Sequence, residues 1–163
     1  MYKNIVLKLL LLVTISFPVF AQQNDSLLSL GQIYNSDEFK SDYQRPISWV
    51  EKGNAFITIE KSEAGSDELI KYNSKNYKKS IYLSEDQLVV NGENLSIEDF
   101  SLSPDGSKVM IFTNSSRVWR SNTKGDFWVY DFDTEKLKQL GTGFPSSTLM
   151  FAKFSQDNKF VAY

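Results

Sequence analysis

Short runs of apolar and β-branched residues dominate the chain from Ile47 onward. Residues 47–50, 55–59, 68–72, 80–83, 99–102, 109–113, 127–130 and 136–140 alternate with clusters of Gly, Asn, Ser, Asp and Lys. No stretch after Tyr43 holds a helical period, so the pattern predicts strands throughout and an all-β domain. Ahead of it, Leu27, Leu28, Leu30 and Ile33 fit either one or two helical turns or an extended lead-in. Proline disfavours helical backbone in the residue before it, so Arg45-Pro46 predicts a first strand opening near Ile47.

The turns between these strands repeat. Ser103-Pro104-Asp105-Gly106-Ser107-Lys108-Val109 and Ser155-Gln156-Asp157-Asn158-Lys159-Phe160-Val161 lie 52 positions apart, and Val50-Glu51-Lys52-Gly53-Asn54-Ala55-Phe56 falls 53 positions before the first of them. Proline presets a turn, aspartate bonds to the backbone that follows it, and glycine or asparagine takes the left-handed conformation that closes a hairpin. Each hairpin is followed by a variable stretch and a strand that ends in Tyr72-Asn73 or Tyr130-Asp131. A polar turn and a short closing strand complete the unit. Four strands in about 50 residues is the length of a propeller blade. The expected fold is a partial β-propeller of about two and a half four-stranded blades over residues 47–163, with Trp49, Phe100 and Phe154 facing neighbouring blades. One blade cannot bury both of its faces, and propellers hold about four to eight blades. The chain is therefore expected to be the front part of a longer protein.

The first 21 residues have a different character. Lys3 and Lys8 accompany an apolar run from Leu9 to Phe20, and Val19-Phe20-Ala21 presents small or short residues where a signal peptidase reads. A secretory signal over 1–21, cleavage before Gln22 and a lead-in segment over 22–46 are expected. The run falls short of the ~20 residues that span a bilayer, so no stable membrane anchor is expected and the location is periplasmic or extracellular.

Composition narrows the chemistry. The formal net charge is −2, and removing the two leader lysines makes it more negative. That argues against a nucleic-acid partner, because binding phosphate needs a clustered positive face. Cysteine and histidine are both absent. A Ser-His-Asp triad, thiolate or imidazole metal ligation and the commonest general base near neutral pH are thus excluded from this chain. Neither catalytic residues, metal ligands nor a cofactor site can be assigned. The twenty acidic residues are scattered over turns with no spacing that favours a catalytic pair.

Tyr34 through Trp49, the Ser103-Pro104-Asp105-Gly106 hairpin, and Val118-Trp119-Arg120-Ser121 followed by Asp126-Phe127-Trp128-Val129-Tyr130-Asp131 carry a resemblance. They resemble the N-terminal propeller of the dipeptidyl peptidase IV branch of the prolyl oligopeptidase family, over roughly residues 27 to 163. The resemblance implies an exported serine peptidase that releases Xaa-Pro or Xaa-Ala dipeptides from peptide N-termini, with an eight-bladed propeller capping an α/β-hydrolase domain. It implies a peptide substrate as partner and a homodimer of the full-length parent. The hydrolase domain and the paired-glutamate segment of that family are not in this chain.

The resemblance also implies a role for Arg120, whose counterpart reaches into the cavity and helps bind a substrate carbonyl. A guanidinium suits that task, being charged at any working pH and rich in donors. Residue chemistry alone reads Arg120 as one charge of a solvated loop containing Arg117, Lys124 and Asp126, and Trp119 as a packing residue that fixes the loop. A non-catalytic periplasmic propeller that binds protein or cell wall accounts equally well for the blades and the leader. It gives Trp119-Arg120 no task. A secreted carbohydrate-active propeller would need carboxylates ringing its channel, and nothing in the sequence locates such a ring.

Overall fold

A computed structural model describes residues 28–41 and 44–163. The expected signal peptide, its cleavage site and the first residues of the lead-in lie outside the described residues. The chain divides into two compact units, Met1–Tyr43 and Gln44–Tyr163.

In the first unit, the lead-in forms one short helix, α1 (Leu30–Asn35). Ser29 is its N-cap, with Oγ accepting from the Gln32 backbone N–H at 3.1 Å while the Gln32 side chain accepts from the Ser29 N–H at 2.9 Å. This reciprocal box satisfies donors that a helix start otherwise leaves unpaired.

The second unit is built of antiparallel sheets. β1 (Ile47–Val50), β2 (Ala55–Lys61), β3 (Asp67–Asn73) and β4 (Lys79–Leu83) form a four-stranded meander. The hairpin of β5 (Val89–Val90) and β6 (Glu93–Asn94) follows. β7 (Asp99–Leu102), β8 (Lys108–Val118), β9 (Ser121–Asp131) and β10 (Lys136–Gln139) then form a second meander, with β11 (Leu149–Met150) pairing onto β9. β12 (Lys153–Phe154) and β13 (Val161–Ala162) make a last hairpin. Two meanders and the opening hairpin of a third are the blades of a partial β-propeller.

Strand alternation decides how the blades meet. In β2, Ala55, Ile57 and Ile59 are buried while Phe56, Thr58 and Glu60 are half-buried, the period-2 pattern of a strand with one face in a core. Ile57, Ile59, Leu69 and Leu83 of the first blade pack with Phe100, Val109, Ile111 and Tyr130 of the second, and Leu88 and Ile97 from the connection seal the gap. Each of these aliphatic side chains contributes about 2 kcal/mol by leaving water. Tyr130 is buried but keeps a polar partner, its hydroxyl accepting from Gln87 Nε2 at 2.6 Å. The other face of the second blade packs against the third, through Met110, Phe127, Leu149 and Ala152 with Phe154 and Val161 against them.

The repeated turns share one hydrogen-bond pattern. Ser103 N donates to Lys108 O at 2.9 Å, Lys108 N donates to Ser103 Oγ at 2.9 Å, and Ser103 Oγ donates to Asp105 Oδ1 at 2.7 Å. Fifty-two positions on, Ser155 N donates to Phe160 O at 2.9 Å, Phe160 N to Ser155 Oγ at 3.0 Å, and Ser155 Oγ to Asp157 Oδ1 at 2.6 Å. Gly106 and Asn158 hold the left-handed position at φ 75° and 59°. The Val50–Phe56 copy occupies the same place between its strands but lacks this serine lock. It closes through left-handed Glu51, Lys52 and Gly53, with Asn54 N donating to Glu51 O at 3.2 Å.

Two expectations need correction. Trp49 is 64% exposed. It pairs across to Phe56, which in turn pairs with Tyr72, on the face of the first blade opposite the inter-blade core, and it lies edge-on to Phe56 at 5.5 Å. The stretch after Thr113, read as a variable connection, is instead strand: β8 and β9 run 11 residues each and stay paired to Val118↔Ser121.

Candidate functional site

The extra length of β8 and β9 makes a hairpin arm with Trp119 and Arg120 at its tip. Val118 pairs with Ser121, so these two residues alone form the turn. Trp119 sits at φ 59°, at a tip position that glycine ordinarily fills. Arg117 Nε donates to Trp119 O at 3.0 Å and steadies the turn. Trp119 does not pack as expected: its side chain is 92% exposed. Arg120 is exposed too, and it has no hydrogen-bond or ion-pair partner among the described residues.

The root of the arm is held by side chains. Asp126 Oδ1 accepts from Ser147 N at 2.7 Å, and its Oδ2 accepts from Asn114 Nδ2 at 2.9 Å and Ser146 Oγ at 2.7 Å. Ser147 Oγ donates to Asn114 O at 2.6 Å. Burial by itself would raise the Asp126 pKa, but the donors from Asn114, Ser146 and Ser147 outweigh it and hold the carboxyl below its ordinary value. On β8, Ser115 N donates to Glu98 Oε1 at 2.7 Å, the Ser115 hydroxyl bonds the other oxygen of Glu98, and Asn122 Nδ2 donates to Ser115 Oγ at 3.1 Å.

Asp126, the carboxylate nearest in the charged loop that residue chemistry assigned to Arg120, is thus committed to the arm's root. That leaves the Arg120 guanidinium with its donors available at the tip. What sequence reasoning missed is the support: Asn114, Ser146, Ser147 and Glu98. The one sequence signal near them is the density of Ser and Asn between 114 and 122, which covers Asn114 but not Glu98, Ser146 or Ser147 and reads as a loop unless the pairing is known. Beside the arm, a pocket of about 250 Å³ is lined by Phe100, Met110, Phe112, Phe127, Asn122 and Thr123, among others. No helix among the described residues is long and apolar enough to cross a membrane.

Comparison with known proteins places this arrangement. Residues 103–163, which include the arm, match the family model described as the dipeptidyl peptidase IV (DPP IV) N-terminal region. A probable dipeptidyl-aminopeptidase B of Arthroderma gypseum is 29% identical over 133 residues, 76% of this chain and 14% of that protein. Dipeptidyl aminopeptidase B of Saccharomyces cerevisiae is 31% identical over 84 residues, 52% of this chain and 10% of that protein. The chain therefore spans a small part of the length of these relatives. In fold, the crystal structure of Porphyromonas gingivalis dipeptidyl peptidase 4 superposes with a TM-score of 0.65 at 19% identity, over 82% of this chain and 18% of that one. The β-propeller blades and the sequence matches agree, and the chain carries an N-terminal region of the dipeptidyl peptidase IV type.

Proposed function

We propose that this chain is the substrate-positioning propeller portion of an exported serine-type dipeptidyl peptidase, with Arg120 as the residue that meets the peptide. One observation carries the reading: the arm raises Arg120 to its tip and leaves the guanidinium without a partner among the described residues. A guanidinium offers five donors and does not lose its charge, so it binds a peptide carbonyl with charge-assisted hydrogen bonds. Its contribution is orientation of the substrate against catalytic groups that this chain, lacking histidine, does not itself supply in a Ser-His-Asp triad. The partner is a peptide with a free N-terminus and proline or alanine second. Export through the leader over residues 1–21 would place this activity in the periplasm or outside the cell, and the longer protein would act as a homodimer.

The test is Arg120→Ala in the peptidase-length protein, assayed on a glycyl-prolyl chromogenic substrate. Loss of charge-assisted hydrogen bonds lowers kcat/KM by roughly ten- to a hundred-fold, while the thermal melt stays in place because the side chain is exposed and has no hydrogen-bond or ion-pair partner among the described residues. Arg120→Lys recovers little, since an ammonium lacks the planar fork. Unchanged kcat/KM in Arg120→Ala removes the assignment.

A further inference from the structure

The arm that carries Arg120 is a lever, and its backbone ladder is broken where it leaves the blade. Register irregularities fall between Thr113 and Ser116 and again between Ser116 and Arg117. Asn114 turns left-handed there at φ 49°, and the Ser115 N–H points to Glu98 rather than across to β9. From Asn114, where the break begins, the arm extends four more residues on β8 to Val118, about 14 Å at the rise of a strand. A tilt of about 10° at the root therefore displaces the tip by ~2 Å, and a 1 Å misplacement of a positioning group can lower rates by as much as about a hundred-fold.

Side chains replace the missing ladder. The Asp126 carboxylate ties its own strand to Asn114 on β8 and to Ser146 and Ser147 in the segment before β11. Ser147 Oγ closes the ring onto Asn114 O. β11 then pairs with Lys124 and Gly125, so the segment that Asp126 grips is itself fixed along the arm. All the donors are neutral, and no ion pair to Asp126 exists among the described residues. Its charge is therefore directed at geometry rather than at balancing a cation.

We infer that Asp126 is a positioning residue for Arg120: by joining both arm strands to the segment before β11, it sets the angle at which the arm presents its guanidinium. This rests on the role of Arg120 proposed above. The experiment is a double-mutant cycle in the peptidase-length protein, with Asp126→Ala, Arg120→Ala and the pair, measuring kcat and KM separately. Asp126→Ala should raise KM about ten-fold with a smaller change in kcat, and in the Arg120→Ala background it should change kcat/KM by less than about two-fold, because interacting sites are non-additive. Asp126→Asn, which keeps one acceptor oxygen, should fall between wild type and alanine. If Asp126→Ala lowers kcat/KM by the same factor in both backgrounds, it acts through general stability and the inference is overturned while the Arg120 role stands. If Arg120→Ala is itself silent, the Arg120 role falls and this inference with it. Should the alanine variant not fold, the same cycle with Asp126→Asn decides between these outcomes.

Discussion

Asp67 shows how one buried side chain joins segments that are distant in sequence. Only 3% exposed, it accepts from Arg45 Nη1 at 2.8 Å, pairs with Lys61 Nζ at 3.0 Å, and accepts from Ile97 N at 3.0 Å and Ser96 Oγ at 3.3 Å. Chain before β1, the end of β2 and the link into the second blade all meet on this carboxylate. Burial would raise its pKa, but Arg45, Lys61 and the Ile97 amide together hold it below 3.8. A carboxyl depressed in the folded state stabilises fully above its unfolded pKa and loses that contribution as pH falls through the folded value. Asp67→Asn should therefore melt lower at neutral pH and lose less than wild type as the pH drops below about 4. At neutral pH, Asp67→Ala leaves Arg45 and the Ile97 amide unmatched and should destabilise by about 3 kcal/mol, read from thermal or denaturant melts. Identical acid profiles in wild type and Asp67→Asn would remove this account.

Among the elements, strands were legible where burial wrote them and illegible where it did not. β1 and β7 match their expected bounds, since their residues alternate between an inter-blade face and a second face. The Ser-x-Asp lock was legible as well, because its hydrogen bonds are local. Asn114 to Arg117 and Ser121 to Lys124 carry no apolar alternation: an arm with little buried surface gives strand pairing no sequence signature. For the same reason the motif singled out Arg120, whereas nothing in the sequence singled out Asp126, whose hydrogen-bond partners lie 12 to 21 positions away. Trp119 misled, since a tryptophan beside a turn usually packs, whereas here its turn is held by Arg117. One position in the arm was open to neither pattern nor motif. At Gly125 a Cβ would run into the Phe112 ring and stand 2.7 Å from Thr113 O. Gly125→Ala should lower stability by about 1–3 kcal/mol through this overlap and expose the arm to proteolysis between Asn114 and Gly125. Wild-type melting and protease resistance would show that the close approach is relieved at no cost.

At the scale of the whole molecule, the second blade packs on both faces, whereas among the described residues the first blade has a neighbour on one face only. Its other face presents Trp49, Phe56 and Tyr72 in register, with Phe56 stacked on Tyr72 at 5.2 Å, and Ile81 63% exposed. Apolar patches of this kind drive association in water. Residues 22–163 produced alone should therefore self-associate in a concentration-dependent way in sedimentation, and Trp49→Lys with Ile81→Lys should reduce it. A monomer with a single cooperative melt would contradict this. The three tryptophans divide the molecule between them: Trp49 on the open face, Trp128 packed against the inter-blade core, and Trp119 at the arm tip with 92% of its surface in water. An indole's emission follows the polarity around it, so the chain carries a native optical label beside Arg120. With Trp49 and Trp128 replaced, the colour of the remaining fluorescence reports whether the tip stands in solvent or lies against something else.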